Sequence, residues 1–309
     1  MLVRAALGTI GPVAFVGNAT EDSAFFVKRL PSDDQVSSAH KIVSCLGGRG
    51  VVPALVAGAL GIRAELCTVV GDDRRTTFTD FLSANRVGTS GVKWDTSNLG
   101  VTRYVAFVRP DLGTTAAVAY RPALDWHPIA SQHVLVAGAQ ATYFSTNDLS
   151  FNRELFSSLA EGVPVLHNLG IRLEEDAAYL ALMLDRCTII IGNRHEVTEV
   201  TRVSGLTPPN IFDHSRSLQH LIVTAGRNGA QVFTRGATAS VAHPAIHVQV
   251  DALRSPVGAG DSFAVGILWS VLVGADIHDG VALGMRLGAL AAQSEESYPD
   301  LRAVSEISL

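Results

Sequence analysis

A glycine-rich segment near the carboxyl terminus carries the residues best suited to chemistry. It reads Ser255-Pro256-Val257-Gly258-Ala259-Gly260-Asp261-Ser262-Phe263 and opens an apolar run that predicts a helix to Val273. Glycines let the backbone approach a ligand closely, and the free N–H groups of a helix N-terminus attract anions. In the first turn of that helix, Asp261 could accept a proton from a hydroxyl nucleophile. The segment equally fits a glycine turn in which Asp261 is an ordinary first-turn acid.

Five further short segments combine glycines with polar side chains at the ends of predicted strands. In chain order they are Gly17-Asn18-Ala19-Thr20-Glu21-Asp22, Gly47-Gly48-Arg49-Gly50, Gly71-Asp72-Asp73, Asn193-Arg194-His195-Glu196 and Thr224-Ala225-Gly226-Arg227-Asn228-Gly229. Each has a plain structural alternative. The pair Asn193 and Glu196 is also a common helix cap, and Thr224–Gly229 also fits a tight turn between strands.

The elements around these segments follow a strand–helix rhythm. Predicted strands are Pro12–Val16, Arg63–Val70, His133–Ala137, Val163–Leu166, Thr188–Ile191, Leu221–Thr224, Gln231–Thr234 and His247–Val250. Predicted helices are Val51–Leu60, Phe151–Ala160, Glu174–Leu184, Glu196–Val203, Gly258–Val273 and Ile277–Ala292. Strands that alternate with helices predict a parallel sheet covered on both faces.

One part of the chain departs from this rhythm. Val101–Val108 and Thr114–Tyr120 are strand-like and flank the turn signal Pro110–Gly113, which predicts a hairpin. We place this hairpin with Ser23–Cys45 in a small β appendage. Because no linker or repeat interrupts the chain, we expect one domain over residues 1–309, with the appendage inserted from about 23–45 and 100–122.

Taken in order, the six segments resemble the signatures of the ribokinase-like (pfkB-type) family of sugar and nucleoside kinases. Gly258–Asp261 resembles the family's second signature and Gly47–Gly50 its first, with Arg49 where ribokinases usually have lysine. The similarity spans about residues 14–300. It implies a three-layer α/β sandwich with a mostly parallel central sheet and a small β lid that closes over the acceptor. In some relatives two such lids clasp to form a homodimer.

The resemblance also implies a role for each matched residue and two cofactors, ATP and Mg²⁺. Asp261 would be the catalytic base, while the N–H groups of Gly258, Ala259 and Gly260 would hold the transferred phosphoryl group. The residues implied to bind the acceptor are Asn18, Asp22, Gly47, Gly48 and Arg49. The residues implied to bind the nucleotide are Thr224, Gly226 and Gly229, with Asn193 and Glu196 organising magnesium through water.

Departures from the family pattern leave the acceptor open. Ser255 stands where an acid often helps to hold potassium, so we expect little potassium activation. Val52 stands where an asparagine usually contacts sugar hydroxyls, and His167 replaces a common aspartate. The basic Arg49 favours a sugar kinase, whereas Val52 and Glu296–Pro299 favour a nucleoside kinase. The losses at Ser255 and Val52 also suggest a non-catalytic sugar- or nucleotide-binding regulator, although an intact Asp261 argues against it.

Composition excludes several other classes of protein. The 309 residues are 47% hydrophobic, carry a net charge of −5 and contain three cysteines. No basic stripe for nucleic acid and no disulfide framework are present, which fits a reducing cytoplasm. The uncharged run Gly50–Ile62 is too short to span a membrane. Although Ala5–Val16 superficially resembles a signal-peptide core, the residues just after it fit a buried strand and site better.

Overall fold

The computed structural model of the chain describes residues 10–34, 36–109, 114–145, 148–170, 176–249 and 252–308. A nine-stranded sheet forms its centre. In spatial order, this sheet contains β13 (Val241–His243), β12 (Ala230–Thr234), β11 (His220–Thr224), β10 (Ile189–Asn193), β9 (Val165–Asn168), β8 (Ala141–Ser145), β1 (Val13–Gly17), β4 (Ala64–Gly71) and β5 (Val87–Asp95). The strands from β11 to β5 are parallel, and β12 and β13 join them as antiparallel strands.

Helices cover both faces of this sheet. They are α1 (Val51–Leu60), α2 (Arg75–Ala84), α3 (Ala130–Gly138), α4 (Leu149–Phe156), α5 (Ala177–Arg186), α6 (Arg194–Ser204), α7 (Ala259–Val273), α8 (Ile277–Ala292) and α9 (Leu301–Ser305). In β1, Val13 and Phe15 belong to the core with α1, α7 and α8, while Ala14 and Val16 belong to the core with α4 and α5. Successive side chains of a strand point to opposite faces, so a doubly covered strand is apolar throughout. The predicted α/β sandwich is confirmed.

A smaller four-stranded sheet contains β3 (Ala39–Gly47), β2 (Thr20–Val27), β6 (Thr102–Arg109) and β7 (Thr114–Tyr120), in that order. The strands β2 and β6 are parallel, whereas β3 and β7 are antiparallel to their neighbours. One face of the sheet buries Phe26, Ala106 and Val108, which pack near Val257 of the loop before α7. The predicted hairpin and its pairing with the 23–45 segment are thus confirmed, and the predicted turn at 110–113 lies outside the described residues.

Two predicted strands are wrong. The run His133–Ala137 lies within α3, and the strand follows it at β8. Its β-branched valines favoured a strand, but tertiary contacts decide otherwise. The buried Gln132 donates from Nε2 to the carbonyl oxygens of Thr68 and Gly91, both at 2.8 Å, and its Oε1 accepts from the N–H of Ile129. These bonds fix the first turn of the helix.

The second wrong strand is His247–Val250. Residues 247–249 are irregular, Val250 lies outside the described residues, and the edge strand β13 ends at His243. Pro244 follows directly and cannot donate a ladder hydrogen bond, which ends the pairing.

The helices α2 and α9 and the strand β5 had no counterpart in the sequence analysis. Within the described ranges, no helix has the length and apolar character to cross a membrane.

Candidate active site

The loop before α7 places Asp261 at the start of a buried helix. Gly258, the N-cap residue, has φ +79°, and a Cβ there would lie 1.7 Å from the carbonyl oxygen of Ser297. Only glycine satisfies both the left-handed conformation and this close approach. Gly260 differs, because it is exposed and a Cβ there would meet no atom within 4 Å. The helix N-terminus therefore faces open space on the side of Gly260, as an anion site requires.

Three side chains hold the carboxylate of Asp261, whose side chain is 15% exposed. Asn168 Nδ2 donates to Oδ1 at 2.9 Å, the Tyr143 hydroxyl donates to it at 3.3 Å, and Arg49 Nε lies 3.5 Å away. Burial raises the pKa of Asp261, while the charge of Arg49 and the hydrogen bonds from Tyr143, Arg49 and Asn168 lower it. Because burial is the largest of these effects, this carboxylate is a better proton acceptor than an exposed aspartate.

Arg49 reaches Asp261 from the glycine segment that precedes α1. Its Nη2 donates to the carbonyl oxygen of Leu169, just beyond the end of β9. Gly170 has φ +151°, and a Cβ there would lie 1.1 Å from Arg49 Nη1, so the guanidinium occupies the space that this glycine leaves. The side chain of Arg49 is 28% exposed. It therefore remains accessible to a ligand while it neutralises Asp261.

Asp22 lies on β2 of the smaller sheet and faces the same region. It is 8% exposed, and Thr20 Oγ1 donates to its Oδ1. Burial raises the pKa of Asp22, hydrogen bonds from Thr20 and Ser297 lower it, and the negative charge of Asp261 raises it further. A Cβ at Gly47 would lie 2.2 Å from Asp22 Oδ2, which explains the glycine. The structure thus brings Asp22, Gly47, Arg49 and Asp261 together.

The other acceptor-site residues of the sequence analysis support this loop. Gly48 has φ +107°, and a Cβ there would lie 2.5 Å from the carbonyl oxygen of Asn18. The same carbonyl accepts a hydrogen bond from Gly50 N–H at 2.9 Å. Asn18 is 5% exposed. Asn18 and Gly48 are therefore adjacent at the point where β1 passes to β2.

Asn193 and Glu196 form a reciprocal cap at the start of α6. Asn193 Oδ1 accepts from Glu196 N–H at 3.0 Å, and Glu196 Oε2 accepts from Asn193 N–H at 2.8 Å. The helix cap, which the sequence analysis gave as the alternative to a magnesium site, is therefore present. Burial lowers the pKa of Arg49, whereas the charge of Asp261 and, to a smaller extent, that of Glu196 raise it. Carboxylate and amide oxygens are the donor types that Mg²⁺ prefers, so these side chains also fit a magnesium site.

The predicted nucleotide loop follows β11, next to this cap. Thr224 pairs with Asn193 in the parallel register of β10 and β11. Gly226 has φ +53° with open space around it, whereas a Cβ at Gly229 (φ +85°) would lie 1.9 Å from the carbonyl oxygen of His243. The turn is tight, and Ala225 N–H donates to Gly229 O at 2.7 Å. Thr224, Gly226 and Gly229 thus form one loop beside Asn193 and Glu196.

Sequence reasoning missed three side chains of the site. Asn168 and Tyr143 hold Asp261, and Tyr104 lies opposite Asp22 in the register of β2 and β6. The pKa of Tyr104 is raised by burial and then by the charge of Asp22, so its phenol group also faces this region. The position of Asn168 at a strand end was a usable signal. Tyr143 gave none, because the strand that carries it was predicted elsewhere.

The atypical residues have structural roles of their own. Val52 is 1% exposed and Ser255 is 1% exposed, so both are buried. Ser255 Oγ accepts from Val257 N–H at 3.2 Å. His167 is fully buried, its Nε2 lies 2.7 Å from the Tyr179 hydroxyl, and burial lowers its pKa to about 3. His167 is therefore a neutral core residue behind the site.

Comparison with known proteins identifies the family of the chain. The model of the pfkB family of carbohydrate kinases matches residues 12–303. A 5-dehydro-2-deoxygluconokinase of Photobacterium profundum is 31% identical over 127 residues, which is 38% of this chain and 37% of that kinase. A nucleoside kinase of Methanocaldococcus jannaschii is 21% identical over 299 residues, 95% of this chain and 94% of that protein.

A solved structure extends the comparison to the whole fold. The ribokinase of Arabidopsis thaliana, in complex with ribose and ATP, matches with a TM-score of 0.75 and 18% identity, covering 97% of this chain and 100% of that one. The match to the gluconokinase spans little more than a third of that relative's length, whereas the family model covers nearly the whole chain. The chain belongs to the pfkB family of carbohydrate kinases.

Proposed function

We propose that this protein is an ATP-dependent kinase that transfers the γ-phosphoryl group to a hydroxymethyl group of a sugar. The arrangement of Asp261 carries the proposal. Its carboxylate lies in the first turn of α7, held by Asn168, Tyr143 and Arg49, while the backbone at Gly260 faces open space. A base next to an anion-binding helix N-terminus is the pair of groups that phosphoryl transfer to an alcohol needs.

In this mechanism Asp261 orients the acceptor hydroxyl and accepts its proton. The N–H groups at Gly258, Ala259 and Gly260 hold the charge of the transferred group, and Arg49 offsets negative charge beside Asp261. When bound, ATP supplies the phosphoryl group, and Mg²⁺ held near Asn193 and Glu196 would neutralise its phosphates. Because such transfers pass through a loose transition state, positioning and charge stabilisation provide most of the acceleration.

The choice of acceptor class rests on the residues beside Asp22. Arg49 in the Gly47–Gly50 segment and the similarity to a gluconokinase support a sugar. The nucleoside alternative relied partly on Val52, which is 1% exposed and offers no polar contact. Measuring ADP release with pentoses, hexoses, inositol and nucleosides tests the proposal. Turnover with nucleosides alone would contradict the sugar assignment, and no turnover with any acceptor would favour a non-catalytic binder.

The smaller sheet is proposed to act as a lid over the acceptor. Lys41 on β3 lies 2.5 Å from Glu295 in the loop after α8, and Cys45 Sγ lies 3.5 Å from Ser297 Oγ. These contacts join the sheet to the loop beside Asp22. Closure of such a lid would exclude water and protect ATP from hydrolysis.

The three free cysteines support a reducing, cytoplasmic location.

The outer face of this sheet is proposed to form a homodimer. Its side chains include Phe25 and Phe107, whose rings lie 5.7 Å apart, and the exposed Ile42, Val118 and Tyr120. A contiguous exposed apolar face of this kind marks an interaction site.

We expect Val118→Asp to shift the protein from dimer to monomer, because it buries an unpaired charge in the interface. Light scattering after size-exclusion chromatography measures the change. Val134→Asp is the matched control, since Val134 is 73% exposed on α3, away from this face. A monomeric wild-type protein, or a dimer that survives Val118→Asp, would contradict the proposed interface.

Activity is expected to depend on magnesium and only weakly on potassium. Ser255 supplies a neutral oxygen where the resemblance places an acid, and that oxygen already accepts from Val257 N–H. Loss of a formal charge partner weakens the binding of a hard cation, so rates in potassium and sodium buffers should differ by less than about threefold. Titrating potassium chloride against choline chloride at constant ionic strength measures this. A large saturable activation by potassium would contradict the prediction.

A further inference from the structure

The loop after α8 carries Ser297 between the smaller sheet and the start of α7. Ser297 is 5% exposed. On one side of it, Glu295 forms an ion pair with Lys41 of β3 at 2.5 Å. On the other side, the ring of Tyr298 packs against that of Phe81, with the ring centroids 6.1 Å apart. These contacts hold the loop on both sides of Ser297, so its side chain has a defined position.

The hydroxyl of Ser297 lies beside the carboxylate of Asp22. A Cβ at Gly47 would lie 2.2 Å from Asp22 Oδ2 and 2.3 Å from Ser297 Oγ, so both oxygens border the space that this glycine leaves. Burial raises the pKa of Asp22, whereas hydrogen bonds from Thr20 and Ser297 lower it. A serine has one proton to donate, and a carboxylate is a stronger acceptor than a thiol. Cys45 Sγ, 3.5 Å from Ser297 Oγ, is therefore the donor in that contact.

Thr20 and Ser297 act on different oxygens of this carboxylate. Thr20 Oγ1 donates to Oδ1, while Ser297 Oγ lies beside Oδ2. An ionised carboxylate has about four acceptor positions, so each oxygen keeps one for a ligand. The carboxylate cannot rotate without breaking both bonds, and Asp22 is too buried for water to replace them. Asp22 is therefore held in one orientation.

The backbone of Ser297 makes a separate contact with the start of α7. A Cβ at Gly258 would lie 1.7 Å from the carbonyl oxygen of Ser297, so the two backbones touch. Gly258 is the N-cap residue of α7, where the transferred phosphoryl group is proposed to bind. The side chain of Ser297 thus contacts the acceptor region and its backbone contacts the phosphoryl region. A change of side chain affects the first contact and keeps the second.

We propose that Ser297 is a positioning residue, whose hydroxyl fixes the orientation in which the Asp22 carboxylate binds the acceptor. This inference rests on the proposed kinase function, in which Asp22 binds acceptor hydroxyls. A site is precise when neighbouring residues lock the groups that touch the ligand. Without the hydroxyl of Ser297, the buried carboxylate would lose one of its two fixed donors and could turn away from the acceptor.

Ser297→Ala tests the proposal through the separate effects on KM and kcat. Hydrogen bonds to charged groups are stronger than those between neutral groups, so KM for the acceptor should rise at least about tenfold. Because the backbone contact with Gly258 remains, kcat and KM for ATP should change less than about threefold. The probes are D-ribose, D-fructose, myo-inositol and adenosine, each assayed for ADP release. An unchanged acceptor KM, or a variant that fails to fold, would overturn the proposal.

Ser294→Ala is the matched control. Ser294 belongs to the same loop, and its Oγ accepts from the N–H of Glu296 at 3.2 Å. Acceptor KM in this variant should stay within about threefold of the wild-type value. An increase equal to that in Ser297→Ala would assign the effect to the loop as a whole and would overturn the proposal.

A double-mutant cycle shows whether Ser297 acts through Asp22. In Asp22→Asn no carboxylate remains to be oriented, so adding Ser297→Ala should raise acceptor KM by less than about threefold further. Residues that act through one another give non-additive effects, whereas independent residues give additive ones. A further tenfold increase in the double variant would show that Ser297 acts independently of Asp22 and would overturn the proposal.

Calorimetric binding of the same four compounds separates this proposal from the kinase assignment. Binding without turnover in the wild type, weakened at least about tenfold in Ser297→Ala, would support the role of Ser297 and overturn the kinase assignment. Turnover with the same acceptor KM in both proteins would overturn the role of Ser297 and leave the kinase assignment intact. Absence of binding and turnover with all four compounds would overturn both.

Discussion

Replacing Asp261 by asparagine is expected to reduce kcat by about 10²–10⁴-fold, the usual contribution of a general base. The amide keeps the shape of the side chain and can still accept hydrogen bonds from Asn168 and Tyr143, so ATP affinity and the thermal midpoint should change little. Because burial raises the pKa of Asp261 above its ordinary value of 3.8, wild-type activity should fall as pH decreases through that raised pKa. The residual activity of the variant should not show this decrease at low pH. Initial rates measured across pH test both statements.

The matched control for this substitution is Asp279→Asn. Asp279 occupies the first turn of α8 as Asp261 occupies the first turn of α7, but it is exposed. It should retain wild-type turnover, because a first-turn acid serves mainly the helix dipole. Turnover in Asp261→Asn equal to that of Asp279→Asn would remove Asp261 from the mechanism.

Two alanine substitutions at the start of α7 should both reduce activity but should differ in their effect on stability. Gly258→Ala places a Cβ 1.7 Å from the carbonyl oxygen of Ser297 at φ +79°, and should lower the free energy of unfolding by about 2–3 kcal/mol. Gly260→Ala meets no atom within 4 Å and should leave the fold as stable or more stable. Its methyl group would enter the space that we propose holds the phosphoryl group, so kcat should fall at least about tenfold.

Urea unfolding and steady-state kinetics on both variants separate these effects. Gly258→Ala should lose stability and activity together, whereas Gly260→Ala should lose activity alone. Gly274→Ala, at the C-cap of α7, is the control for a left-handed glycine with open surroundings, since its φ is +68° and no atom lies within 4 Å. Full activity in Gly260→Ala would show that the open space beside this residue does not hold the transferred group.

The segments that could be predicted from sequence are those whose own residues impose the geometry. The Gly258–Asp261 loop, α1 and α8 are of this kind, because glycines and long apolar runs act locally. Asn168 and Tyr143 belong to strands separated from Asp261 by about a hundred residues, and only the sheet order brings them together. Residues that meet only through the order of strands in a sheet produce no periodic pattern in the sequence.

Local propensity also failed where a tertiary contact competes with it. The valines of 133–137 favour a strand, yet the buried Gln132 fixes a helix through its bonds to β4 and β5. For Asn193 and Glu196 the sequence allowed two interpretations, a helix cap and a magnesium site. The structure contains the reciprocal cap between them, which their spacing of three residues is enough to predict.

The position of β1 has a consequence for how the chain folds during synthesis. Val13–Gly17 pairs on one side with β4, which follows soon after, and on the other side with β8, which is made only after residue 140. All four strands of the smaller sheet lie between β1 and β8 in the chain. The nascent chain can therefore complete the smaller sheet while one edge of β1 is still unpaired. Closing that edge joins residues far apart in the chain, and contacts of such high order slow folding.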